Sequence, residues 1–131
     1  MHSDLLLISQ ADPRPMYLQI MEQIRHRIAI GDWPPGYELP SIRTLAASVQ
    51  VSVITVKRAY LELERDGVII TRQGKGSFVA DSAGLSVKLR RDELDEHLTA
   101  AAEIGRVLGL SNDEMGARLR AALKKRDEKL R

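Results

Sequence analysis

Six side chains close together in the middle of the chain have the chemistry to read a nucleic-acid surface. Ser52, Val53, Ile54, Thr55, Lys57 and Arg58 follow the expected turn residues Gln50-Val51. Ser52 and Thr55 carry short hydroxyls suited to phosphates or base edges. Val53 or Ile54 can touch a thymine methyl. Lys57 and Arg58 lie one turn further on, where a cation meets a phosphate or a base edge. Fifteen residues beyond Lys57 comes a second group, Arg72, Gln73, Gly74, Lys75 and Gly76. Two glycines at a tip free the backbone for positive φ and close approach to a sugar–phosphate edge, and Arg72 and Lys75 add charge there. Arg43 projects from the segment before the first group.

These residues must be carried by elements that present them together. Tyr17, Ile20, Met21, Ile24 and Ile28 recur at helical spacing, so a first helix is expected from about Pro15 to Gly31. Trp33-Pro34-Pro35-Gly36 ends it. Ser41 is a good N-cap for a short second helix, Ile42 to Ser48, with Leu45 and Ala46 inward. Ser52 caps a third, whose stripe is Val56, Ala59, Tyr60 and Leu63 and whose C′ residue is Gly67. Val68–Arg72 and Ser77–Ala80 are β-prone, and the tip between them closes a hairpin. Helix, helix, turn, helix, hairpin is the order of a winged helix-turn-helix. The third helix would enter a major groove, its N–H-rich start attracting phosphate, and the hairpin would serve as a minor-groove wing.

Asp81–Ser86 is a small-residue connector and the expected boundary. The domains read from this are 1–80, a winged helix-turn-helix with an N-terminal arm at 1–13, and 81–131, a short helical dimerisation domain. In the second, Leu94, Leu98, Ala101, Gly105 and Leu108 form one helical face. Ser111 with Glu114 forms a capping box. Met115, Leu119, Ala122 and Leu123 form a second face. Two such helices leave apolar surface that a second copy would cover, so a homodimer is expected. The fold class is mainly α with a small β-hairpin.

Three motifs in order, Leu39-Pro40-Ser41-Ile42-Arg43, Val51-Ser52-Val53-Ile54-Thr55-Val56-Lys57 and Gly74-Lys75-Gly76-Ser77-Phe78-Val79, resemble the GntR family of bacterial regulators over about residues 15–80. The short two-helix tail resembles its YtrA-type subfamily. The resemblance implies a transcriptional repressor on a pseudo-palindromic double-stranded operator, often one that controls transporter genes. It also implies DNA contact at Arg43 and favours Lys57 over Arg58. Many family members carry a basic residue where this chain has Val53, so readout here leans on Arg43, Thr55, Lys57 and the wing.

Charge supports this placement. The whole chain has a net charge of +2, but residues 41–80 carry six basic and three acidic side chains. That positive balance, with Arg43 and Lys57, argues against a winged helix serving only protein contacts. A solvated surface role remains the plain alternative for each cation, as an ordinary turn does for Gly74 and Gly76. The basic tail run, Lys124, Lys125, Arg126, Lys129 and Arg131, also suits a helix C-terminus.

Other classes are weakly supported. With no cysteine, disulfides and thiolate sites are excluded. His2, His26 and His97 lack metal-ligand spacing. Asp92, Glu93, Asp95 and Glu96 suit a helix start. Gly74-Lys75 lacks the upstream glycine and following helix of a phosphate-binding loop. No enzyme activity, metal or cofactor is expected. Leu5–Ile8 is too short for a signal peptide and no run reaches membrane-span length, so a cytoplasmic location without a membrane partner is expected. A small molecule held between tail and DNA-binding domain is the alternative mode of control; whether an effector exists is left open.

Overall fold

The computed structural model describes Leu6, Ile8 and residues 11–130. Most of the arm at 1–13, with His2 and Leu5, and the terminal Arg131 lie outside the described residues. Two compact units are present, Met1–Arg91 and Asp92–Arg131.

The first unit holds helices α1 (Met16–Ala29), α2 (Ile42–Val49) and α3 (Val53–Arg65), then strands β1 (Ile69–Arg72) and β2 (Gly76–Val79). Each boundary has a local cause. Pro15 sits at the N-cap of α1, where its missing N–H costs nothing. Ser41 caps α2 by accepting the Thr44 N–H, and Ser52 caps α3 by accepting the Thr55 N–H, both at 3.1 Å. α3 ends in a Schellman motif. Gly67, at φ +77°, donates its N–H to Glu64 O, and Val68 donates to Leu63 O.

The core is one aliphatic cluster. Ile20, Ile24 and Ile28 of α1 meet Leu45 of α2 and Val56, Ala59 and Leu63 of α3, with Ile69 and Val79 closing the sheet side. The expected stripes on all three helices therefore face one another.

Three features go beyond the sequence-based expectation. Trp33, expected only as part of a helix-ending stretch, is fully buried and stacks on Tyr37 with ring centroids 5.2 Å apart. The residues after it form a third edge along β2. Glu38 bridges Phe78 antiparallel, Val79 N–H donates to Tyr37 O, and Leu39 N–H donates to Ser77 O. The hairpin is thus pinned on one side by the segment that leads into α2. Finally, the core extends past Ala80, because Leu85 packs against it and Leu89 is buried in it.

β1 and β2 pair antiparallel, with Ile69 opposite Val79 and Arg72 opposite Gly76. This register turns Ile69 and Val79 inward and lifts the tip into solvent.

Helix α4 (Leu85–Val107) gives its start to the first unit and the rest to the second, which adds α5 (Asn112–Lys129). The capping box is formed: Ser111 Oγ accepts the Glu114 N–H, and the Glu114 carboxylate accepts the Ser111 N–H. Gly109, at φ +73°, ends α4. A Cβ placed on Gly105 would overlap Met115 Sδ, so glycine here lets α5 approach closely enough for Met115 to lie on the α4 backbone. Gly105 and Met115, each expected on one of the two dimerisation faces, meet each other within the chain.

Candidate nucleic-acid interface

The surface begins at the α2–α3 turn. Gln50 caps α2 in the left-handed conformation, φ 57° and ψ 48°, and Val51 N–H donates to Ala46 O. That compact turn leaves the start of α3 exposed. Ser52, Val53, Ile54, Lys57 and Arg58 are exposed there and Thr55 is half-buried. Val56, Ala59, Tyr60 and Leu63 form the opposite, buried face. On α2, Arg43 and Thr44 are exposed over the buried Leu45 and Ala46.

The two caps are built alike. Ser41 Oγ donates to Thr44 Oγ1 at 2.8 Å, and Ser52 Oγ shares a hydrogen bond of the same length with Thr55 Oγ1. Each pair fixes the first turn of its helix, so Ser52 and Thr55 serve the helix start as well as facing outward. Tyr60 ties the two helices together: its hydroxyl donates to Pro40 O at 2.7 Å, just before the α2 cap.

Ion pairing separates the cations of this unit. Arg25 is paired with Asp66, Arg27 with Asp32, Arg65 with Glu62, and Arg14 with Asp12 and Glu22. Among the described residues, Arg43, Lys57 and Lys75 have no carboxylate partner. Their charge is unneutralised, and all three are exposed. Two further candidates are held by aromatic rings. The Arg58 guanidinium lies 3.8 Å from the Tyr17 ring centroid, and that of Arg72 lies 5.6 Å from Phe78. Helical spacing places Tyr17 on the α1 stripe alone. Spacing along one helix carries no signal that a ring would lie beneath a cation on another.

At the tip, Lys75 N–H donates to Arg72 O at 2.9 Å, closing a four-residue turn through Gln73 and Gly74. Gly74 takes φ +76° and Gly76 φ +127°. The positive φ expected at both is present, and Gly74 has open space around it. Arg72, Gln73, Gly74, Lys75 and Gly76 are all exposed. The fold therefore gives one unit a capped helix start that exposes Lys57 and a basic hairpin tip that exposes Arg72 and Lys75.

In the second unit, Leu94, Leu98 and Ala101 on α4, Leu108 just beyond it, and Leu119, Ala122 and Leu123 on α5 are exposed. Gly105 is buried and Met115 half-buried in their mutual contact.

Comparison with known proteins fixes the family. The family model described as bacterial regulatory proteins, gntR family, matches residues 16–79. The HTH-type transcriptional regulator YhcF of Bacillus subtilis (strain 168) is 37% identical over 102 residues, covering 78% of this chain and 84% of YhcF. The chain belongs to the gntR family. Within it the chain is YtrA-like: the HTH-type transcriptional repressor YtrA of the same organism is 42% identical over 77 residues, 56% of this chain and 59% of that protein. A GntR-family regulator from Listeria monocytogenes shares the fold over 84% of this chain and 96% of its own, with a TM-score of 0.73 and 28% identity. The DNA-binding domain of AraR, solved in complex with operator ORX1, matches 60% of this chain and 100% of its own, with a TM-score of 0.55 and 31% identity. This gntR-family chain is thus a DNA-binding, helix-turn-helix transcriptional regulator with a winged-helix fold.

Proposed function

We propose that this regulator binds a pseudo-palindromic double-stranded operator as a homodimer and represses transcription from it. One observation carries the reading. Arg43 on α2, Lys57 on α3 and Lys75 at the hairpin tip are exposed cations with no carboxylate partner among the described residues, and these are the three elements a winged helix brings to a duplex. In this reading the start of α3, Ser52 to Arg58, enters the major groove. Arg43 reaches a phosphate or base edge beside it, and residues 72–76 follow the minor groove. The DNA-binding domain is read as residues 1–80 and the dimerisation domain as 81–131, with Leu85 and Leu89 at the start of α4 packing into the core of the former.

Dimerisation is supported by the apolar side chains that the second unit leaves in solvent. Leu94, Leu98, Leu108, Leu119 and Leu123 are all large and exposed, and a matching surface on a second copy is the simplest cover. Repression is inferred from the YtrA relative, an HTH-type transcriptional repressor. Control of transporter genes is carried over from the family resemblance. A cytoplasmic location fits a DNA-binding regulator, and among the described residues no helix is long and apolar enough to cross a membrane. The protein acts by binding and not as an enzyme.

The test combines molar mass by light scattering with operator titration. The intact chain is expected to be dimeric and to bind the full operator cooperatively. Leu98→Asp with Leu119→Asp places charge on both exposed faces and is expected to give a monomer that binds a half-site weakly, because the half-sites are no longer linked. A double variant that stays dimeric, or that keeps full operator affinity, contradicts the proposal.

A further inference from the structure

The first turn of α3 offers a major groove more carbon than hydrogen-bonding capacity. Ile54 is 80% exposed and is the most exposed large apolar side chain among the described residues of the first unit. Val53, its neighbour, is 46% exposed. An isolated exposed aliphatic residue is ordinary. These two are adjacent, lie one and two positions past the Ser52 N-cap, and precede the unpaired cation Lys57 by about one helical turn.

The polar groups of the same turn are largely engaged. Ser52 Oγ accepts the Thr55 N–H and shares a proton with Thr55 Oγ1 at 2.8 Å, which leaves one hydroxyl proton for an outside acceptor. Arg58, one turn on, lies against the Tyr17 ring. An aliphatic side chain in a major groove has one complementary feature to recognise, the C5-methyl of thymine. Packing it against the amino or carbonyl edge of another base would desolvate that edge with no partner.

We infer that Val53 and Ile54 are specificity-determining residues that recognise thymine C5-methyl groups in each operator half-site, Ile54 being the principal contact. The inference rests on the operator-binding reading above and names the chemistry of that recognition. Arg43 and Lys57 would supply anchoring charge, and the methyl contacts would select A·T pairs beneath the helix start.

The test uses the full chain and an operator obtained by selection from a random duplex pool. Each thymine is replaced in turn by deoxyuridine, which removes only the methyl group. Replacement at the contacted position is expected to weaken binding about fourfold per half-site, the worth of one methyl group withdrawn from water. In Ile54→Ala that thymine–uracil difference is expected to disappear, and Val53→Ala is expected to abolish a smaller difference at a neighbouring position. Both side chains are exposed, so both variants should fold, and thermal unfolding checks this. Sequence-selective binding with no uracil effect at any thymine overturns this inference and leaves operator binding standing. A uracil effect that persists unchanged in both variants also overturns it. Absence of any sequence-selective binding overturns operator reading and this inference together.

Discussion

Removing one unpaired cation should weaken DNA binding in a way that removing a paired one does not. Lys57 is exposed and has no carboxylate within reach among the described residues, whereas Arg25 is paired with Asp66 across α1 and α3. If Arg43, Lys57 and Lys75 each meet a phosphate, a dimer neutralises about six, and log K should fall with log salt at a slope of about −5. Between 50 and 200 mM salt this costs about 1,000-fold in affinity. Lys57→Ala removes two of those contacts per dimer and should make the slope shallower by about 2. Should Lys57 reach a base edge instead, the slope should hold and affinity should fall by about 1–3 kcal/mol per protomer. Arg25→Ala removes the same charge, but its pair is partly exposed, so it should cost at most about 1 kcal/mol of stability and leave the slope unchanged. Fluorescence anisotropy of a labelled operator, titrated across a salt series for both variants, measures this. The reasoning is refuted if Lys57→Ala changes neither slope nor affinity, or if Arg25→Ala changes the slope as much.

Three further outcomes are expected. Gly74→Val puts a β-branched residue at φ +76°, strained although the space around it is open, so it should weaken operator binding several-fold and cost about 1–2 kcal/mol of stability; full affinity in the folded variant would show that the tip is dispensable. Gln50→Gly relieves a non-glycine left-handed residue at φ 57° and should raise stability by about 1 kcal/mol in urea unfolding; a destabilised variant would contradict that placement. Leu89→Ala should cost about 2–4 kcal/mol, because Leu89 is buried in the first unit's core although it lies nine residues past Ala80; a loss well under 1 kcal/mol would contradict its burial.

The helices of the first unit were legible because their signals are local. Ser41 and Ser52 stand where caps are needed, Gly67 where a positive φ is needed, and the stripes of Ile20 to Ile28 and Val56 to Leu63 repeat every three or four residues. What was not legible depends on distant neighbours. The edge at Tyr37–Leu39 is too short for an alternating pattern and is hidden by the prolines before it, so neither its pairing with β2 nor the burial of Trp33 could be read. Leu85 and Leu89 face a different unit from Leu94 and Leu98 although all four share a helix, and no local signal marks where the helix changes partners. At the candidate interface, residue types revealed which side chains have suitable chemistry. Only the fold shows that Arg58 rests on the Tyr17 ring. The contact of Gly105 with Met115 was half legible: both fall on helical faces, but spacing along each helix does not say that the two meet within one chain.

The most direct measurement is selection of bound sequences from a random duplex pool by the full chain, followed by affinities for the enriched sequence and for random DNA at physiological salt. An inverted repeat should be enriched, its half-sites spaced to match two α3 helices, and it should bind at least about 1,000-fold more tightly than random DNA. A pool that enriches no sequence, or an enriched sequence bound no better than random DNA, would contradict the assignment of α3 and the hairpin as a sequence-reading surface.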